Sequence, residues 1–404
     1  MQLVPVSTSA LRVGTTVPFS LRDAQGKLLL AAGSLIDSET MRKQLLDRGL
    51  YVDFVESENF QKALAGKVDA MLRQNASLGT IAKAQVEAPG QGGEGAQAAR
   101  KPTDPVVAWQ GFGLRAGSLL HDPQPLDYVA RLQRLDLDIQ EQLQHDADGA
   151  LLLLIQIATG EVHHYSVHHA MLVSVVCELA ARELSDWPPE WRAPLRCAAL
   201  TMNIAMTSLQ NQLALQDGGL SPRQSSQVSN HASAGAAQLA TLGVDDPLWL
   251  GAVTHHHDAV PGPLETLPPE RRLARLVQRA DIFTARLSPR KARPAQSATA
   301  AAKATYLDEQ QRPDEAGAAI IKAMGLYPPG TYVQLASGEV AVVLRRGLRA
   351  NEPRVASIVG RSGTPLGEPT VRDTRLRAYE VKSSVAPKDV RVRFPLPRLL
   401  QLAS

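Results

Sequence analysis

The apolar residues of this chain keep a helical period over residues 106–325 and change to a period of two at Tyr327. That switch predicts a mainly α fold: a helical bundle followed by a C-terminal β-hairpin element. Leu172, Val175, Val176 and Leu179 share one helix face, as do Leu273, Leu276, Val277 and Ala280. In "LSPRQSSQVSNHASAGAAQLATLG", Ser221 is placed as N-cap, Pro222 at the first helical position and Gln224 as the third member of a capping box, with Gly243 as the stop. Asp246 and Pro247 open the next helix in the same way. Beyond Tyr327, "GTYVQLASGEVAVVLRR" reads as a hairpin turning at Ser337-Gly338, with "PRVASIVG" and "LRAYEVK" as further short strands.

The first 75 residues read as a small N-terminal α+β domain. Strand-like "VGTTVPFSLRD", "KLLLAAG" and "LYVDFVE" surround a helix over 37–49, and a second helix lies near 57–75. Residues 76–105, ending in "VEAPGQGGEGAQAARKPTDP", have a Gly, Ala, Gln and Pro composition that predicts a flexible linker. The domain boundaries expected are therefore 1–75, 76–105, 106–326 and 327–404.

Charge narrows the partners. A net +3, with no long Lys or Arg run, argues against a nucleic-acid polymer. Cys177 and Cys197 both sit in apolar helical stretches, which suits buried thiols in a reducing compartment. The start carries no charged leader with an apolar core, and the longest apolar run, "ALLLLIQIA", is too short for a bilayer. No membrane span and a cytoplasmic location are expected.

The histidines carry the chemistry. They gather at "HHYSVHHAML", "SNHASAG" and "AVTHHHDAVPG". Singly, His163, His164, His168 or His169 is an ordinary helix residue. His255, His256 and His257 in succession cannot share one helix direction, so at least one is spare. Asp281 lies beside the apolar stripe of its helix, where a carboxylate is costly unless paired or bound to a cation. Together, separate helices offer His or Asp at the edges of apolar faces, a common way for bundles to build metal sites.

The order of these motifs resembles the HD-GYP family of cyclic di-GMP phosphodiesterases over residues 125–345. "YSVHH" matches its Y-[ST]-x-x-H helix, and "TMNIAM" aligns with L-H-D-x-G-K. His231 and Gly235 match a His followed by Gly, "HHHDAVPGP" matches H-H-E-x-x-D-G-x-G-Y-P, and "ADIFTARLSPR" matches the segment after the late Asp. The resemblance implies an HD-domain-like helical bundle and a site drawn from His169, His231, His255, His256 and Asp281, with Arg290 as a ligand-binding residue. It also implies cyclic di-GMP or a signalling partner protein as the bound species, and is compatible with a homodimer.

The departures fall on the catalytic positions. The family's HD pair is Met202-Asn203 here, its following Lys is Met206, its Glu is read as His257, and its GYP loop is Val260-Pro261-Gly262 or missing. A thioether suits hard divalent ions poorly, and an amide cannot bridge two cations as a carboxylate does. Two-metal hydrolysis needs that bridge. A signalling module with hydrolysis lost or very weak is expected. A working metal-dependent phosphodiesterase and a purely structural interaction module are the alternatives. Of the family's two metal positions, one retains only His169 and Asp281. The other retains His231, His255 and His256, with Asn203 able to add a carbonyl oxygen. At most one divalent metal (Zn, Fe or Mn) per chain is expected there, with His257 pointing elsewhere.

Overall fold

In a computed structural model, the described residues are 105–404, except 161 and 259–261, together with residues 3–5, 17, 19–23, 26, 28–30, 34, 45 and 50–53 of the N-terminal part. The chain forms two compact units, Met1–Arg100 and Lys101–Ser404. In the first, β1 (Leu3–Pro5), β2 (Leu21–Arg22), β3 (Leu28–Leu30) and β4 (Tyr51–Asp53) make an antiparallel sheet in the order β1-β4-β2-β3. Val17, Leu21, Leu45 and Leu50 form its small core. Leu45 apart, the helix expected over 37–49 lies outside the described residues, as do the helix near 57–75 and nearly all of the linker.

The second unit begins with helices, as the period predicts. In chain order they are α1 (Pro105–His121), α2 (Tyr128–Gly160), α3 (Tyr165–Ala181), α4 (Arg192–Thr201), α5 (Thr207–Leu215) and α6 (Pro222–Thr241). Then follow α7 (Pro247–His255), α8 (Pro269–Leu287), α9 (Ala298–Tyr306) and α10 (Glu315–Met324). The run "ALLLLIQIA" is the interior half of α2, with Leu151 to Ile155 all buried, which explains its apolarity without a membrane. Among the described residues no helix is long and apolar enough to cross a bilayer. The helix of α2 is broken at Asp146 (φ −152°, ψ 87°), whose carboxylate accepts the Gly149 N–H at 3.0 Å and so restarts the turn.

Local signals hold at the helix ends. Ser221 and Gln224 form the reciprocal capping box, and Asp246 accepts from the amides of Leu248 and Trp249. Gly243 takes φ +90°, a left-handed conformation natural to glycine, just past α6. Inside the bundle, Arg196 of α4 holds Asp136 of α2 through two 2.7 Å bonds and Glu178 of α3 at 2.8 Å. Glu178 also receives Arg182 and Arg192, so a fully buried carboxylate is surrounded by guanidinium groups.

After α10 come β5 (Tyr332–Leu335), β6 (Val340–Arg345), β7 (Arg354–Val359), β8 (Pro365–Asp373) and β9 (Val381–Val385), with α11 (Leu396–Ala403) closing the chain. The expected hairpin is β5–β6, turning at Gly338 (φ +86°). It is the centre of a five-stranded antiparallel sheet, β8-β7-β6-β5-β9. Successive β6 residues face opposite cores: Val342 and Leu344 pack with Leu152, Leu399 and Ala403, while Ala341 and Val343 pack with Tyr327 and Val355. Of "LRAYEVK", Arg377–Tyr379 is a 3-10 turn, and strand begins only at Val381. Arg345 and Arg346 pair with Asp146 and Asp148 at 3.0 and 2.5 Å, tying the sheet to the broken part of α2.

Candidate metal centre

The family's HD position closes α4. Met202 is its C-cap and is 1% exposed, absorbed into the main apolar core. Asn203 leaves the helix (φ −107°, ψ 17°) and is buried, and its side-chain Oδ1 finds no hydrogen-bond partner. Such an orphaned acceptor normally costs free energy and invites a cation or donor. Met206, at the family's Lys position, is half-buried. The indole N–H of Trp249 donates to Thr201 at 2.8 Å, fixing α7 against the end of α4. Gly235 lets α6 run close by: a Cβ there would sit 3.5 Å from Ile204 and 3.7 Å from the Met202 carbonyl. His231 lies one turn earlier on α6.

His231, His256 and His257 converge. The Nε2 of His231 is 3.2 Å from the Nε2 of His256 and 3.2 Å from that of His257. One nitrogen from each ring falls within 4.8 Å of the other two, the one such group of His, Cys, Asp or Glu among the described residues. The Nδ1 of His231 lies 2.6 Å from the Val228 carbonyl, and the Nδ1 of His256 lies 2.7 Å from the Val253 carbonyl. A carbonyl only accepts, so both Nδ1 atoms carry the proton. Each neutral ring then turns a bare Nε2 lone pair to the other across 3.2 Å.

Protonation does not relieve that contact near neutral pH. Burial pushes the His256 pKa down to about 3, with the charge of His257 acting the same way, and burial also lowers that of His231. A cation does relieve it. Two imidazole nitrogens bound tetrahedrally at the usual zinc distance lie about 3.3 Å apart, close to the spacing here. The carbonyls behind Nδ1 are the outer partners that metal-binding histidines use to fix ring and tautomer. The residues therefore fit one divalent ion, with the exposed edge of His257 leaving an approach from solvent.

The expectation for His255 is corrected by the structure, and so is that for His257. His255 is the last residue of α7, and its Nδ1 bonds Asp258 at 2.9 Å, away from the cluster; His257, expected to point elsewhere, takes its place. Successive helical residues diverge by about 100°, so only tertiary partners settle which two of three neighbours turn inward. With the pair read at His256-His257, Asp258 falls where the motif has Glu, and Gly262 falls on its Gly. Gly262 has φ +118°. Val260 and Pro261 lie outside the described residues.

His169 and Asp281 meet each other instead. His169 is 1% exposed, and its Nε2 bonds the Asp281 carboxylate at 2.7 Å. Burial resists the Asp281 charge, but the bond and charge of His169, aided by His256 and His257, hold its carboxyl well below the usual range. The Tyr165 ring stacks on His169, with centroids 5.4 Å apart and planes 13° apart. Arg290 reaches the Tyr165 hydroxyl at 3.2 Å and lies 5.0 Å from its ring centroid. Arg293, which the motif reading missed, accompanies it. The Nε atoms of Arg290 and Arg293 are both buried without an acceptor, and burial followed by the neighbouring Arg290 charge lowers the Arg293 pKa. The i, i+3 spacing of the two arginines was the available signal.

No family model matches the chain. A curated cyclic di-GMP phosphodiesterase of Pseudomonas aeruginosa is 26% identical over 229 residues, covering 55% of this chain and 55% of that protein. The chain thus spans about half the length of the curated relative it matches. Among solved structures, an HDG"Y"P protein of Bdellovibrio bacteriovorus aligns over 80% of this chain and 99% of its own, at 16% identity and a TM-score of 0.46. The resemblance to the HD-GYP family carried by the motif order is borne out.

Proposed function

We propose that this chain is a degenerate HD-GYP signalling protein that holds one divalent metal and binds a cyclic dinucleotide without hydrolysing it at a useful rate. The observation that carries this reading is the donor set: three imidazoles that bring one nitrogen each within 4.8 Å of the others, with a buried amide, Asn203, at the position where the family has a carboxylate. A bound divalent ion would supply a Lewis-acidic contact for a phosphate oxygen.

The chain's own residues do the rest. His231 and His256 are kept neutral by burial, and their carbonyl partners hold the proton on Nδ1 and leave Nε2 free, so they are ready as ligands. Imidazole and amide ligands bring no negative charge, so the positive charge of a bound ion would remain available to an anionic ligand. Arg290, steadied by Tyr165, and Arg293 add two guanidinium groups with unused Nε–H donors. Asp281 is engaged by His169, and Asn203 cannot bridge two ions, which argues against the two-metal arrangement that drives phosphodiester hydrolysis. Such a protein would act in the cytoplasm, passing the nucleotide signal to a partner protein or a second copy of itself.

The test is metal analysis of the purified chain, with binding and hydrolysis of cyclic di-GMP measured with Mn, Fe or Zn supplied. One equivalent of metal and metal-dependent binding without turnover are expected. Robust turnover would favour the working phosphodiesterase, and absence of both metal and nucleotide binding would favour an interaction module.

A further inference from the structure

We infer that His255 is a positioning residue for the metal centre, clamped by Asp258 and Arg271 so that His256 and His257 face inward. The inference rests on the metal reading above. Asp258 holds the end of α7 twice: its backbone N–H donates to the His255 carbonyl at 2.9 Å, and its carboxylate takes the His255 Nδ1 at 2.9 Å. The same carboxylate oxygen receives Arg271 from the first turn of α8, so the turn over 255–258 is fastened to a second helix. His257 lies inside that turn, and its Nε2 meets His231 at 3.2 Å. His256 has its own anchor at the Val253 carbonyl. His257 meets His231 and His256 inside the cluster, and the turn that carries it sets its place.

The experiment is a cobalt titration of the full chain, read by visible absorption and by affinity, on wild type, His255→Ala, Asp258→Ala, the double variant, Asp258→Asn and His257→Ala. An exposed clamp of this kind is expected to change affinity by about fivefold at most. His255→Ala and Asp258→Ala should each weaken cobalt binding by about that factor while keeping the wild-type spectrum at saturation. The double variant should be no weaker than either single one, because the two residues act as a unit. Asp258→Asn, which still accepts from His255, should recover most of the loss. His257→Ala should change the spectrum itself. The inference is overturned if His255→Ala alters the spectrum as His257→Ala does, if the single variants bind like wild type, or if their effects add. If wild type binds no cobalt, or His257→Ala binds as wild type does, the metal reading falls and the inference with it. Melting of each metal-free variant separates misfolding from weakened binding.

Discussion

Replacing Asn203 with Asp would restore the family's carboxylate, and the structure says what that costs. Asn203 is 8% exposed, its Oδ1 has no partner, and its neighbours Met202 and Ile204 are 1% and 4% exposed. A carboxylate there is a buried charge without a donor. Uncompensated buried charges of this kind typically cost roughly 3–5 kcal/mol, or raise the group's pKa until it neutralises. We therefore expect metal-free Asn203→Asp protein to be less stable than wild type by about 3 kcal/mol at pH 7. Because the new group's folded pKa is raised, the penalty is present at neutral pH and fades as the pH falls and the carboxyl takes its proton. A divalent ion supplies the missing partner. Metal at about 100 times its Kd adds about 2.7 kcal/mol to the folded state, so saturating metal should recover most of the loss. Melting with chelator and with Zn or Mn, across pH 5–8, measures this. Equal metal-free melting temperatures for variant and wild type at pH 7, or a metal-induced rise no larger in the variant, would refute the reasoning.

Further outcomes follow from other contacts. His231→Ala removes the imidazole that both partner rings approach at 3.2 Å and should abolish stoichiometric metal in elemental analysis. The folded pKa of His256, about 3, lies below its unfolded value of about 6.5. Its contribution is therefore complete above pH 6.5 and lost as pH falls towards 3, at up to about 1.4 kcal/mol per pH unit, measurable by denaturant titration of metal-free protein. Arg196→Ala strands the Asp136 carboxylate in the bundle, while Glu178 keeps Arg182 and Arg192, and should destabilise by about 3–5 kcal/mol in the same assay.

Whatever depends on neighbours along the chain was legible from the residues alone. The helical period, the Ser221 capping box, the Asp246 cap and the β5–β6 hairpin are local patterns, and each reappears in the fold. Strand β8 was not legible, because its residues are mostly exposed and interrupted by Gly367 and Pro369, so no alternation marks it. The departure from the family's HD pair was plain from Met202 and Asn203. Tertiary packing alone decided that the Met202 thioether is core and that the Asn203 oxygen is left unpaired. It also decided which of three consecutive histidines serve the centre. Asp258 and Arg271 draw His255 outward, while α6, folded against the end of α4, brings His231 to meet the other two. A side chain's type is written in the sequence and nearby carbonyls fix its tautomer, but which rings meet is set by elements distant along the chain.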